Sequence, residues 1–175
     1  IMNISRQTDN IVKNVLQKYP KPDWAVRWVP HGCNEKYFFP INSLHEQYSE
    51  FQQWESTFKT THNVDFIVFW NNRNIRRKQP ADLILAFNEF CEKLSPEQAE
   101  KCLLLMHTQI SDENGTNLLA VKEAVCPKYK VVFSDQAIDQ KTMNFYYNLA
   151  DVTVNIASNE GFGISWCESL HAGTP

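Results

Sequence analysis

The sequence predicts an α/β fold with a doubly wound parallel sheet, and two observations carry that reading. Short apolar runs alternate four times with segments of helical spacing, at residues 66–70, 102–106, 130–133 and 151–155. Those runs are also too apolar to leave one face in water, so helices are expected to cover both faces of the sheet.

Residues 8–17 place Ile11, Val12, Val15 and Leu16 at helical spacing, and Pro20 and Pro22 end that helix. Residues 1–24 are therefore expected to be a lead-in from a preceding domain. Residues 25–29 read as a short strand closed by Pro30, with His31-Gly32-Cys33-Asn34 as a turn and Tyr37, Phe38 and Phe39 as a packed anchor. Phe51, Trp54 and Phe58 recur every three to four residues, giving residues 43–61 an amphipathic helix that is read as a connector between domains. After the strand at 66–70, residues 80–94 form a helix with Leu83, Phe87, Phe90 and Leu94 inward. The strand at 102–106 leads through a turn at Asp112-Glu113-Asn114-Gly115 to a helix marked by Leu118, Val121 and Val125. Residues 143–149 and 163–171 supply the helices on either side of the fourth strand, with Gly173 at the last C-cap. Residues 25–175 are thus expected to form one domain. Gly173-Thr174-Pro175 falls where another strand is due, so the domain is expected to be incomplete there.

A length of 175 residues suits one well-buried domain, and 43% apolar with 21% charged residues is a globular composition. The net charge of −3 excludes a general nucleic-acid binder, which needs broad positive potential to displace counterions from phosphates. Cys33, Cys91, Cys102, Cys126 and Cys167 are odd in number and form no C-x-x-C pair, which points to a reducing compartment. No run approaches the length of a membrane span, and the first residues lack a signal-peptide core. The expected location is the cytosol, with any membrane contact made through the other half of the protein. No metal or other cofactor is expected: the five histidines, His31, His45, His62, His107 and His171, show no paired ligand spacing.

Ligands of doubly wound folds bind at the carboxyl ends of the strands, which directs attention to the loops that follow them. The loop after the first strand reads Asn71-Asn72-Arg73-Asn74-Ile75-Arg76-Arg77-Lys78, with four cations in six residues of an acidic chain. A solvated basic loop is the plainer interpretation of such a run. Its place at the ligand-binding edge favours an anion such as a diphosphate, which arginine grips bidentately and lysine attracts as a point charge. The loop after the fourth strand reads Ser158-Asn159-Glu160-Gly161-Phe162-Gly163 and opens a helix carrying Glu168. Gly161 and Gly163 admit close approach of a ligand, and the free N–H groups of the helix start suit a phosphate. Glu160 and Glu168 would repel phosphates and so are expected to accept hydrogen bonds from sugar and ribose hydroxyls.

With those residues in view, the sequence resembles the C-terminal domain of retaining two-domain glycosyltransferases of the GT-B type, specifically family 4 and its relatives. Such a domain is a Rossmann-like half of the GT-B fold. The resemblance covers nearly the whole chain outside the N-terminal helix, with Trp28-Val29-Pro30-His31-Gly32-Cys33-Asn34 and Phe38-Phe39-Pro40 similar to the interdomain segment. It implies that Arg73 and Lys78 bind the donor diphosphate, that Glu160 addresses the donor sugar and that Glu168 addresses the ribose. Gly161, Phe162, Gly163 and Ile164 would supply backbone contacts, and the loop beginning Ser134-Asp135 would hold the nucleobase. Two departures stand out: Asn72 and Gln79 occupy positions where the family often has glycine, and Arg76 and Arg77 add charge beyond the usual pair.

The implied activity is retaining transfer of a hexose from a UDP-, GDP- or ADP-sugar to an acceptor hydroxyl on a glycan, lipid or protein. The charge of the departing nucleotide diphosphate would be met by Arg73, Lys78 and the helix start, with no D-x-D metal motif present. The acceptor would bind the other half, so this chain alone is expected to transfer little or no sugar. Rival readings are a nucleotide-sugar epimerase or phosphorylase and a non-catalytic nucleotide-sugar-binding domain. A dinucleotide oxidoreductase is disfavoured because Gly161-Phe162-Gly163 lacks the third glycine and follows the fourth strand, and a P-loop is absent.

Overall fold

The computed structural model describes residues 1–175 and contains two parallel sheets of unequal size. The smaller pairs β1 (Met2–Asn3) with β2 (Arg27–Trp28), joined through helix α1 (Arg6–Val15). Ser5 caps α1 by accepting from the Thr8 N–H at 3.1 Å. Asp9 is the residue this helix buries, bonded to Asn3 Nδ2 at 3.0 Å and to Lys13 at 2.7 Å. The expected apolar stripe of α1 is mostly uncovered: Ile11 and Val15 are exposed. Strand β1, which has too few residues for any periodicity to show, was not expected from the sequence.

The larger sheet has the order β5-β4-β3-β6, all parallel, from β3 (Phe66–Asn71), β4 (Cys102–His107), β5 (Lys130–Ser134) and β6 (Val152–Thr153). The strand alternation sorts two cores. Ile67, Phe69, Leu103 and Leu105 face Phe51 of α2 (Tyr48–His62), Phe145 and Leu149 of α6 (Gln140–Leu149) and Ala172 of α7 (Ile164–Ala172). Val68, Trp70, Leu104 and Met106 face Leu83, Ile84 and Phe87 of α3 (Pro80–Glu92), Ala99 of α4 (Pro96–Glu100) and Leu118 of α5 (Leu118–Val125). Helices thus cover both faces, as the apolar strands require. Helix α4 was not expected; Ser95 and Gln98 form a capping box around its single turn.

Three expectations are corrected. Helix α2 is no connector: Phe51, Trp54 and Phe58 pack on the first core, with Phe51 and Trp54 ring centroids 5.3 and 5.6 Å from Phe145. Tyr37 is exposed, whereas Phe38 is buried and Phe39 packs beside it. Strand β6 keeps only Val152 and Thr153 of its expected run, although the Val154 N–H still donates to the Phe69 carbonyl at 2.9 Å and Val154 and Ile156 pack on the second core. Its outer edge meets the chain end, where the Thr153 N–H donates to the Pro175 carbonyl at 2.7 Å.

Two asparagines one turn apart on α6 hold the link after β2 to the domain. Asn144 exchanges bonds with the Phe39 N–H and carbonyl, each at 3.2 Å, and Asn148 accepts from the Ile41 N–H at 2.7 Å while donating to the Phe39 carbonyl at 3.0 Å. The backbone groups of an extended segment are thereby satisfied without a strand partner.

Candidate functional site: a cleft at the switch point

Chain connections run outward from β3 through β4 to β5, then reverse across β3 to β6, so the topological switch lies between β3 and β6. Open α/β sheets bind ligands at that crevice. The loops after β3 and β6 meet there and line a cleft of about 630 Å³ with Arg73, Lys78, Glu160, Gly161, Phe162, Gly163, Ile164 and Glu168. Eight of the nine residues singled out from the sequence are therefore gathered in one place. Ser134 is the ninth and lines a neighbouring recess of about 590 Å³ with His107, Thr108 and Asp135; Asn71, Asn72 and Arg73 line both.

The two loops are zipped together. The Arg77 carbonyl accepts from the Ser158 N–H at 2.9 Å, and the Arg77 guanidinium donates to the Asn159 carbonyl at 3.0 Å and to Glu160 Oε2 at 3.2 Å. Lys78 is buried; its ammonium donates to Glu160 Oε1 and to Asn72 Oδ1. Asn155 adds a bond to Glu160 at 3.1 Å. Burial alone would push the Glu160 carboxyl up, but the bonds from Lys78, Asn155 and Arg77 outweigh it and hold the group below the usual carboxylate range.

Arg73 has a different partner. Asp112, in the loop after β4, takes its guanidinium at 2.7 and 3.2 Å in a bidentate pair. Arg76 makes no ion pair. The neighbouring Asn74 is fully buried and donates to the Ile110 and Thr116 carbonyls at 3.2 and 2.7 Å, tying the cation-bearing loop to the loop after β4. Gln79, in a position where glycine was expected, nevertheless adopts the left-handed backbone with φ 55° and ψ 44°. The other substituted position, Asn72, has no positive φ; its side chain serves Lys78 instead.

Helix α7 begins at Gly163, whose φ of 83° is open to glycine and which brings no side chain to cap the first N–H groups. The first residues of the helix, Ile164 and Ser165, line the cleft. Glu168, one turn on, accepts from the Tyr147 hydroxyl at 2.8 Å, and Asn71 Nδ2 donates to the same hydroxyl at 2.9 Å. Burial pushes the Glu168 carboxyl up, and the Tyr147 bond offsets part of that rise. From the link after β2, His31 meets Phe162 edge-on at 5.2 Å, and Ile4 lies over Gly161, where an added Cβ would come within 3.1 Å of its Cδ1.

In the second recess, His107 Nδ1 and Ser134 Oγ are 3.0 Å apart, and burial lowers the histidine from its ordinary value, against the raising effect of its bond to Ser134. Thr108 Oγ1 and Asn72 Nδ2 are buried there without partners. No group of three or more histidine, cysteine, aspartate or glutamate side chains is gathered to hold a metal ion.

The sequence reading missed Asn71, Asn72, Asn155, Tyr147, Asp112 and His31 as site residues. Asn71 and Asn72 lie inside a loop singled out for its cations, and Asn155 ends the expected fourth strand, where its side chain carries no signal of its own. Tyr147 falls on the buried face of a helix and looks like core. His31 is read from the sequence as part of a turn in the interdomain segment and is set aside as a metal ligand.

No protein-family model matches the chain, and no curated protein sequence does. Solved structures do. A sucrose-phosphate synthase from Thermosynechococcus elongatus aligns at TM-score 0.69 and 22% identity over 99% of this chain and 39% of that one. An α,α-trehalose 6-phosphate synthase from Burkholderia multivorans aligns at TM-score 0.77 and 9% identity over 98% and 41%. An E. coli structure described as trehalose-6-phosphate bound with UDP-2-fluoro glucose aligns at TM-score 0.69 and 15% identity over 98% and 42%. The C-terminal domain of a group 1 glycosyl transferase from Francisella tularensis aligns at 0.57 and 15% over 82% and 68%. The chain therefore spans about two fifths of the length of the first three. At these identities the likeness is one of fold, and the fold is that of the C-terminal, Rossmann-like half of the GT-B glycosyltransferases.

Proposed function

We propose that the cleft binds a nucleotide-diphosphate sugar and that the chain is the donor half of a retaining, metal-independent hexosyltransferase of the family 4 type. One observation carries this reading: a loop bearing Arg73, Arg77 and Lys78 meets a loop and helix start bearing Glu160, Gly163 and Glu168 at the switch point of the sheet. A nucleotide-diphosphate sugar has the matching parts, namely a dianionic centre flanked by two hydroxyl-rich rings. The bound UDP-2-fluoro glucose of the E. coli neighbour agrees with that chemistry.

In this reading Lys78, Arg73 and the first N–H groups of α7 meet the charge that develops as the nucleotide diphosphate leaves, acting as preorganised dipoles and cations that need no reorganisation. Glu160 orients the sugar and Glu168 the ribose. Gly161 to Ile164 contact the donor through backbone, and the recess at Ser134 takes the base. The donor is a UDP-, GDP- or ADP-sugar; the acceptor is a glycan, lipid or protein hydroxyl held by the other half. Residues 1–24 belong to that half: a two-stranded parallel sheet of two residues per strand is not stable alone and needs neighbours. The chain alone then transfers little sugar. We place the protein in the cytosol, in keeping with its five free cysteines.

The test is calorimetric titration of the full-length protein with UDP-, GDP- and ADP-sugars, repeated with Arg73→Ala and Glu168→Gln. One donor should bind, and both substitutions should weaken it. A folded protein that binds none of them sinks the proposal.

A further inference from the structure

The hydroxyl of Tyr147 is out of place in its surroundings. The side chain is fully buried, its ring edge-on to Phe69 at 5.3 Å and to Phe38 at 5.9 Å, where phenylalanine would pack as well. A buried hydroxyl costs stability unless it is bonded, and both of its bonds go to residues that line the cleft, Asn71 and Glu168. The direction of the bonds follows from chemistry. An ionised carboxylate has no proton to give, so the tyrosine proton goes to Glu168 Oε2 and the tyrosine oxygen accepts from the Asn71 amide.

We propose that Tyr147 is the positioning residue of the ribose subsite: held by Asn71, it pins Glu168 Oε2 and leaves Oε1 as the acceptor that reads the ribose hydroxyls. This rests on the donor-site reading above and deepens it. The fold supports the arrangement from below, since the Tyr147 backbone carbonyl accepts from the Thr174 hydroxyl at 2.5 Å and is anchored to the turn after α7. Burial pushes the Glu168 carboxyl up, and the Tyr147 hydroxyl bond opposes that push, favouring the ionised carboxylate.

The experiment uses the full-length protein and compares UDP, GDP and ADP with their 2′,3′-dideoxy counterparts, with inorganic pyrophosphate as a ribose-free probe. The unaltered protein should favour the ribonucleotide by about tenfold or more, the scale of a hydrogen bond to a charged group. Tyr147→Phe should cut that preference to about threefold or less, leave pyrophosphate affinity unchanged, and move upward the pH below which the preference is lost. In a Glu168→Gln background the same substitution should have no further effect on the preference. Asn71→Ser, altered at the cleft wall outside the core, should lower the preference in the same direction by a smaller factor and serves if Tyr147→Phe does not fold. A variant that keeps the full preference, or an unaltered protein that binds nucleoside diphosphates without regard to the ribose hydroxyls, overturns the proposal. If no nucleoside diphosphate binds the unaltered protein, it is the donor-site reading that fails, and this proposal falls with it.

Discussion

The ammonium of Lys78 and the carboxylate of Glu160, 82 residues apart in the chain, form an ion pair across the switch point of the sheet. Lys78 is buried and Glu160 also takes Arg77, so one carboxylate is shared between two cations at the edge of the cleft. An incoming diphosphate competes with Glu160 for both. Replacing Glu160 with glutamine should therefore tighten inorganic pyrophosphate binding by roughly 1 kcal/mol, about fivefold in Kd, while sugar transfer by the full-length protein falls. Calorimetry and a transfer assay read the two effects separately. Pyrophosphate affinity that is unchanged or weaker in Glu160→Gln would remove Lys78 and Arg77 from the anion site.

The major features of fold and site were legible because each has a local cause. Runs such as Ile67 to Trp70 announce buried strands by apolarity, and glycines at 161 and 163 mark where a helix start borders the cleft. What stayed hidden depends on partners far away in sequence. Arg73 finds Asp112 across 39 residues, and Asn144 and Asn148 clasp Phe39 across more than a hundred. Tyr147 follows the helical core pattern faithfully, and only its oxygen, invisible to periodicity, belongs to the site. The exposed face of α1 marks the limit of amphipathicity: spacing shows that Ile11 and Val15 share a face, not what lies against it.

Gly115 and Gly32 make a matched pair for testing the loop scaffold. A Cβ at Gly115 would collide with the Asn74 backbone carbonyl and lie 2.6 Å from Asn74 Oδ1, whereas at Gly32 nothing lies within 4 Å. Neither glycine has a positive φ, so the contrast is one of space alone. Gly115→Ala should lower stability by about 1–3 kcal/mol, the cost of overpacking, and weaken donor binding because Asn74 shares a loop with Arg73 and Lys78. Gly32→Ala should stay within about 0.5 kcal/mol of the parent. Urea denaturation of both variants measures this; equal stabilities would mean that the Asn74 clamp is not closed in solution.

Gln79 joins the cation-bearing loop to α3 in a left-handed conformation that glycine adopts freely and L-residues adopt at a cost of about 1 kcal/mol. Gln79→Gly relieves that cost but loosens the unfolded chain by a similar amount, so its net effect should lie within about 0.5 kcal/mol of zero. A β-branched side chain fits the left-handed region worst, and Gln79→Val should destabilise by roughly 1–2 kcal/mol. The Lys78 side chain starts one residue earlier, so pyrophosphate affinity should fall with it. Denaturation midpoints of the two variants decide the matter: a valine variant as stable as the glycine one would show that the helix start is not left-handed.

Glu168 and Glu160 make opposite contributions to stability as pH changes. Burial raises the Glu168 carboxyl above its unfolded value, so between those two values the folded chain binds more protons than the unfolded one, and stability falls as pH rises through that window. Above it Glu168 carries a net cost, which glutamine avoids while still accepting the Tyr147 bond. Glu160 is held low by Lys78, Asn155 and Arg77 against the pull of burial, so its contribution is present above the ordinary glutamate range and is lost as pH falls through its depressed value. Thermal melts across pH 3 to 8, values chosen to bracket the glutamate range of about 4.3, should therefore separate the two. Glu168→Gln should melt above the parent at neutral pH, with the gain shrinking to nothing in acid, and should lose affinity for ribonucleotides. Glu160→Gln should melt below the parent at neutral pH, with the deficit closing in acid. A Glu168→Gln variant that is less stable than the parent at pH 7 would mean that the carboxylate is held by bonds strong enough to outweigh its burial, and that its strain is not the cost of a site built to accept hydroxyls.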